Sequence, residues 1–337
     1  MYVCYPCLSV VHVCTRARAL SLPHPPFPQR DAITLPRTHI HAQHIGTIFA
    51  ALLPIIVVAG RPGGYHIYFG VIAAIAILAV LSVLLIKATD IDHHKARGGS
   101  VEDGLEQHAT AKELLMRKDV VLFLGTVTCW HFANAAMLPE VGLKIDRINI
   151  ELGHNTTINI GKHAILLDGK NGVSIATLVA QLIMIPVAKM SGWLAKKRPG
   201  ARWSVQLLFA ASLTLPARAF AFASSNHIWT LLGLQFLDGV SAGAIGVLSV
   251  LIMCDLTDGT GRFSMMQGAL ATAVGAGSAA SNGLAGMLTD KFGFAVMFRT
   301  LGVLSIITCL LLTALATVVR TPDKMLATHK PLAASLI

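Results

Sequence analysis

Residues 231–253, LLGLQFLDGVSAGAIGVLSVLIM, decide the fold of this chain. The stretch is apolar almost throughout, and at about 1.5 Å per residue an α-helix of this length crosses roughly 30 Å of hydrocarbon. Its one charged residue, Asp238, would cost several kcal/mol in contact with lipid. The stretch therefore predicts a membrane-spanning helix in which Asp238 faces protein or a water-filled cavity, and it makes Asp238 the first candidate for function.

Similar apolar segments occupy most of the chain. Working outward from residues 231–253, eight segments are bounded by polar or basic residues, and they lie at 45–60, 65–86, 120–138, 172–190, 203–222, 229–253, 263–288 and 294–319. The first is short and contains Pro54. A hydrophobic share of 54%, a charged share of 13% and a mean hydropathy of +0.65 agree with lipid as the solvent. The sequence predicts an all-α, polytopic membrane protein and no enzyme.

The net charge of +10 comes from Lys and Arg that lie mainly between the apolar segments. Membrane topology and anionic headgroups explain that distribution, so nucleic acid is not expected as a partner. The basic residues concentrate in alternate connections, which predicts that residues 88–119, the 191–202 loop and both chain ends are cytoplasmic, most simply at a plasma membrane. The 139–171 loop then faces outward, and its Asn155-Thr156-Thr157 is an acceptor sequence for glycosylation.

An internal repeat links the second and eighth segments. Residues 64–69 and 293–298 share a Gly-aromatic-x-x-x-Phe entry into an apolar run, pairing Gly64 with Gly293. The same offset pairs Gly46 with Gly275, well inside the seventh segment, so the first segment begins where its counterpart is half finished. Residues 1–44 have no helical or strand period and are expected to be an unstructured, non-native tail.

These segments resemble the major facilitator superfamily of secondary transporters. Residues 237–294 resemble the tenth and eleventh helices of bacterial-type efflux permeases, and GWLAKKRPGAR resembles the family's cytoplasmic loop signature at Gly192, Leu194, Gly200 and Arg202. Ala195 stands where that signature has an acidic residue, which removes its usual charge relay. The resemblance implies a complete six-helix half at 120–319, the last two helices of the other half at 45–87, a cytoplasmic connection at 88–119 and a cytoplasmic tail at 320–337. The first four helices have no counterpart.

The function implied by the resemblance is proton-coupled efflux of a small organic solute by alternating access. Its partners would be the lipid bilayer, the solute and protons. The alternative is a truncated or non-transporting helix bundle without carrier activity. No cofactor is expected. The Cys4-x-x-Cys7 pair has histidines near it, but no second pair of cysteine or histidine ligands follows at zinc-finger spacing. No metal site is therefore expected either.

Four polar residues within the apolar segments are candidates for the substrate or proton pathway. Arg218 and Asp238 lie at similar predicted depths, roughly 12 to 15 Å, and could meet as an ion pair. Such a pair is either a coupling element or a static salt bridge that fixes helix packing. His131 and Asn134 are one helical turn apart and share a face of their helix. Their side chains either relay protons and bind substrate, or they form a hydrogen bond between helices.

Weaker candidates complete the set. Gln267 and Asn282 are further cavity candidates. The small residues Ala271, Gly275, Ala279 and Gly283 form a stripe for close and mobile helix packing. Candidate residues of a cytoplasmic gate are Gly192, Arg202, Asp255, Asp258 and Arg262. For the last three, the alternative is a solvated loop that caps helices.

Overall fold

The computed structural model describes residues 110–319 except 155, 161, 162, 199, 258, 259 and 261, and it also describes residues 70, 73–75, 77, 78 and 81. The predictions for the 1–44 tail, the 45–60 segment, most of the 88–119 connection and the 320–337 tail lie outside the described residues, as do Asn155 and Asp258. Within the predicted 65–86 segment, every described residue is helical.

Helices dominate the described part of the chain. In chain order the elements are α1 (Ala111–Leu115), α2 (Lys118–Asn134), α3 (Met137–Leu152), β1 (Thr157–Ile160), β2 (His163–Leu166), α4 (Gly169–Lys197), α5 (Ala201–Ser212), α6 (Thr214–Ser224), α7 (Ile228–Gly233), α8 (Gln235–Thr257) and α9 (Phe263–Val318). Five helical stretches are long and apolar enough to cross a membrane: Lys118–Leu152, Gly169–Lys197, Ala201–Ser224, Ile228–Thr257 and Phe263–Val318. The predicted all-α membrane fold is confirmed, although the count of eight segments is not.

The longest helix, α9, is divided at Gly293. This residue has φ 80° and ψ 169°, a backbone conformation that side chains with a Cβ rarely adopt. The break lies in the polar interval between the predicted 263–288 and 294–319 segments. We refer to the parts of α9 before and after Gly293 as its first and second limbs.

The bundle has two chemically distinct ends. At the basic end, where α2 and α5 begin and α4 and α8 end, the Arg117 guanidinium donates to the carbonyl oxygen of Leu256 at 3.0 Å. At the opposite end, which we call the hairpin end, Thr289 of the first limb of α9 donates to Glu140 of α3 at 2.8 Å. Successive long helices therefore run in alternating directions between these two ends.

The prediction that residues 139–171 form a loop is wrong. Residues up to Leu152 continue as helix α3, and β1 and β2 then form an antiparallel hairpin in which Thr157 faces Leu166 and Ile160 faces His163. Helix α3 was missed because it is amphipathic rather than apolar. It buries Val141 and Ile145, and charged residues lie on the same turns of the helix, so the sequence has no continuous apolar run.

Two apolar clusters form the core. One lies toward the basic end and includes Phe123, Trp130 and Met253, while the other lies toward the hairpin end and includes Phe222 and Phe298. The main packing partners are α2 with α9, α4 with α8, and α6 with α9. Where α2 and α9 meet, a Cβ at Gly277 would overlap the carbonyl oxygen of Thr128. The absence of that Cβ permits the close approach of the two helices.

Candidate functional site

A buried ion pair lies between α6 and α8. Arg218 of α6 is 1% exposed, the side chain of Asp238 of α8 is 13% exposed, and Arg218 Nη1 pairs with Asp238 Oδ1. Among the described residues, neither of these two atoms has a hydrogen-bond partner outside the pair. The two residues that the sequence places at matched depth are therefore in direct contact, and each supplies the charge that compensates for burial of the other.

The rest of the Arg218 guanidinium is enclosed by neighbouring helices. Nη2 donates to Asn134 Oδ1 at 2.5 Å and contacts Met137 Sδ at 3.1 Å. Nε contacts the same sulfur at 3.4 Å. The guanidinium carbon also lies 5.6 Å from the ring centroid of Phe222, within cation–π range. We call this group of residues the arginine cage, and it joins α2, α3, α6 and α8. Its members are Arg218, Asp238, Asn134, Met137 and Phe222.

The local sequence explains how α6 presents Arg218. Pro216 has no backbone N–H and cannot donate to the carbonyl four residues earlier, and the helix is interrupted at Leu213, just before this position. Beside the break, Thr214 Oγ1 donates to the carbonyl oxygens of Ala211 and Leu237 at 2.8 and 3.1 Å. The contact to Leu237 ties α6 to α8 one turn from Arg218 and immediately before Asp238.

His131 does not join the arginine cage, although Asn134 does. The imidazole of His131 packs edge-on against the Trp130 ring, with centroids 4.8 Å apart, and its Cβ lies against Gly277 of α9. It makes no hydrogen bond with any described residue. The helical face predicted from His131 and Asn134 is therefore divided between two environments, the α2–α9 contact and the buried ion pair.

The remaining pathway candidates lie on α9 and are not brought to the ion pair. Gln267 is 7% exposed, and its Nε2 has no hydrogen-bond partner among the described residues. Asn282 is exposed and donates to the carbonyl oxygen of Ser278 in its own helix at 2.8 Å. Added methyl groups at Gly275 and Gly283 would meet no described atom within 4 Å, so this part of the predicted small-residue stripe is open to the residues that the structure describes. We call the face bearing Gly275, Ala279, Asn282 and Gly283 the open face of α9.

Comparison with known proteins identifies the family. The family model described as Major Facilitator Superfamily matches residues 170–336. The chain is also 34% identical over 257 residues to uncharacterized MFS-type transporters of two strains of Mycobacterium tuberculosis, CDC 1551 / Oshkosh and ATCC 25618 / H37Rv. The chain belongs to the major facilitator superfamily. Each match covers 73% of this chain and 56% of the relative, so the chain spans about half the length of the curated relatives it matches.

Membership of the major facilitator superfamily confirms the resemblance seen in the sequence and the multi-pass membrane location. Proteins of this superfamily are carriers and not enzymes, which agrees with the prediction that this chain is not an enzyme.

The loop that resembles the superfamily's signature lies at the basic end. Gly192 is in the last two turns of α4 and faces Val247 of α8, while Arg202 is exposed in the first turn of α5. Asp255 lies in the last turn of α8, and Arg262 directly precedes α9. All four residues are at the same end of the bundle.

Several buried polar residues were missed by sequence reasoning. Lys144 of α3 is 4% exposed, and its ammonium donates to the carbonyl oxygens of Phe222 and Ser225, both at 2.7 Å, at the end of α6. Gln235 is fully buried, with neither amide atom hydrogen-bonded to a described residue. One signal was available for Gln235, since it lies three residues before Asp238 and shares its side of α8. Lys144 had no such signal because its segment was assigned to a loop.

Proposed function

We propose that this chain acts in secondary active transport of a small organic solute across a membrane by alternating access, with proton-coupled efflux as its mode. The buried Arg218–Asp238 pair is the observation that carries the proposal. Ionisable residues inside membrane helices are costly, and they commonly belong to ion or substrate pathways. Membership of a carrier superfamily supports the same reading.

Asp238 is the proposed proton-binding residue of the pair. A guanidinium does not lose its proton in proteins, whereas a carboxylate can gain one. The Asp238 side chain is also the more exposed of the two, at 13% against 1%. Protonation of Asp238 would remove the attraction to Arg218 and loosen the contact between α6 and α8, which gives proton binding a route to a change in helix packing.

Alternating access requires two helical units that rock against each other around a shared site. We propose residues 120–319 as one such unit and residues 45–87 as part of the other, joined by residues 88–119. The open face of α9 is the proposed contact with that second unit, because small residues there permit close approach and sliding. Asn282 and the partly buried His131 of α2 are the proposed polar groups nearest to that contact.

The proposed orientation follows from charge. The positive-inside rule and the Lys and Arg at the basic end favour a cytoplasmic location for this end and for both chain termini. The hairpin end would then face outward from a plasma membrane. Cysteine-accessibility labelling in intact cells, with single cysteines introduced at Arg202 and at Glu151, tests this arrangement directly. Labelling of the Glu151 position alone by a membrane-impermeant reagent is the expected result.

A static role for the ion pair competes with the coupling role, and two transport assays separate them. The full chain is reconstituted in proteoliposomes, and a small fluorescent coumarin serves as the probe. We expect Asp238→Asn to abolish accumulation driven by a proton gradient while preserving gradient-free exchange of the probe. Asp290→Asn, which alters an exposed carboxylate at the hairpin end, is the matched control and should leave both activities intact.

The outcomes contradict different parts of the proposal. If Asp238→Asn removes exchange as well as accumulation, or leaves both unchanged, the coupling role is wrong. If the unaltered chain moves neither the coumarin nor any of a wider panel of neutral and weakly charged organic solutes in either assay, a non-transporting helix bundle replaces the carrier.

A further inference from the structure

The turn between α4 and α5 concentrates positive charge at the basic end. Only residues 198–200 separate the two helices. Lys196, Lys197, Arg198 and Arg202 are all exposed, and none of the four pairs with a carboxylate in the part of the chain that the structure describes. We call these four residues the basic turn. Unpaired cations at the ends of two membrane-length helices are placed to attract a negatively charged partner at the membrane surface.

Two tryptophans hold cations of the basic turn in position. The Lys197 ammonium lies 3.6 Å from the ring centroid of Trp193, and the Arg198 guanidinium carbon lies 5.0 Å from that of Trp203. Trp203 is itself fixed, because its Nε1 donates to the carbonyl oxygen of Leu194 at 2.9 Å. These cation–π contacts restrict the side chains without neutralising their charge, so less conformational entropy is lost when an anion binds.

An exposed apolar strip of α4 leads to the basic turn. Leu182, Met190 and Trp193 are 64%, 52% and 55% exposed, and they precede Lys197 on one side of the helix. Tryptophan is enriched where hydrocarbon meets headgroups, with an apolar body in the lipid and a polar edge toward water. The strip therefore offers an apolar surface that ends in a cluster of cations, which is the complement of a lipid with an anionic headgroup.

We propose that the basic turn binds the headgroup phosphate of an anionic phospholipid whose acyl chains lie along Leu182 and Met190. Lys197 and Arg198 are the principal phosphate ligands because the tryptophans position them. Free phosphate would use the cations alone, whereas a phospholipid uses the cations and the apolar strip together. The site depends on insertion of the chain in a membrane and is independent of transport.

Competition between phospholipids tests the site. The full chain is placed in nanodiscs containing brominated phosphatidylglycerol or brominated phosphatidylcholine, and quenching of tryptophan fluorescence reports contact. We expect stronger quenching by the anionic lipid. The Lys197→Gln/Arg198→Gln double variant should lose about 25-fold in preference for it, since each cation near an anionic surface contributes about fivefold. Lys197→Arg/Arg198→Lys should retain the preference.

A matched control removes the same charge elsewhere. Arg147→Gln/Lys291→Gln alters two exposed cations at the hairpin end and should leave the lipid preference unchanged. An equal loss in this control would contradict the site, because it would show a response to net charge. Equal quenching by the two lipids in the unaltered chain would also overturn the proposal. So would displacement of the anionic lipid by inorganic phosphate beyond the effect of chloride at matched ionic strength.

Discussion

Removing the two charges of the Arg218–Asp238 pair together should destabilise the protein less than removing either charge alone. Arg218 is 1% exposed and Asp238 is 13% exposed, so each single substitution leaves a buried charge without its counter-ion. Breaking a buried pair in this way costs about 3–5 kcal/mol. Replacement of both partners by apolar residues of similar volume leaves no isolated charge, and we expect it to cost under about 2 kcal/mol.

The two single substitutions should also differ from each other. Asp238→Leu leaves a guanidinium that cannot lose its proton, with Asn134 Oδ1 as its main remaining acceptor. Arg218→Met leaves a partly exposed carboxylate that can take up a proton. We therefore expect Asp238→Leu to cost about 3–5 kcal/mol. Arg218→Met should cost less, and the double variant should cost the least.

The assay is reversible unfolding of the purified chain in lipid–detergent mixed micelles, followed by tryptophan fluorescence for the four combinations of substitutions. Arg147→Met, at an exposed arginine of α3, is the control and should change the free energy of unfolding by less than about 0.5 kcal/mol. Independent sites add to within about 0.5 kcal/mol. If the double variant equals the sum of the singles within that margin, the two charges do not compensate each other. A larger cost for Arg218→Met than for Asp238→Leu would refute the argument from proton uptake.

Three further predictions concern packing, anchoring and pH. Gly277→Val should lower the free energy of unfolding by about 1–3 kcal/mol because its side chain meets a carbonyl of α2. Gly246→Val is the control and should be near neutral in the same unfolding assay, because Gly246 is exposed on α8 and an added Cβ there meets no described atom within 4 Å. Lys144→Met should cost about 1.5–3 kcal/mol for each of the two charge-assisted hydrogen bonds to the end of α6 that are lost, and it should make α3 more sensitive to proteolysis. Unchanged proteolysis would contradict this anchoring role. The hydrogen bonds of the capping box with Thr110 lower the pKa of Glu113. The stabilisation of α1 by this capping box is therefore complete above the ordinary glutamate pKa and is lost as pH falls through the lowered value. An ordinary pKa for Glu113 in a carboxyl NMR titration would contradict this stabilisation.

The membrane helices could be predicted because lipid imposes a local requirement. A segment without water must satisfy its own backbone hydrogen bonds, so a long apolar run becomes a helix almost regardless of its neighbours. Residues 231–253 illustrate this, since their own apolar composition predicts the helical structure found in α7 and α8. The contact between Arg218 and Asp238 could also be predicted from the sequence. The depth of each residue in the membrane follows from the number of residues between it and the end of its helix.

Helix α3 shows where this local rule fails. It lies at the hairpin end, and its mixed sequence carries no long apolar run. Its helix is stabilised by contacts with distant residues, such as the bonds from Lys144 to the end of α6 and from Thr289 to Glu140. A hydropathy pattern describes only the local sequence, so it contains no information about contacts with residues far away in the chain.

The sequence by itself determined the solvent and the long apolar helices, and it placed the charged residues along the axes of those helices. Only the tertiary structure decided how each helix is rotated about that axis. Rotation directs Asn134 to the Arg218 guanidinium and His131 to α9, buries Gln235, and leaves Gly275 on an open face. The physical reason is that lipid and apolar protein are almost equally favourable surroundings for an apolar side chain, so hydrophobicity barely distinguishes one helix face from another. Close packing and polar contacts between helices make that choice, and both depend on residues remote in the chain.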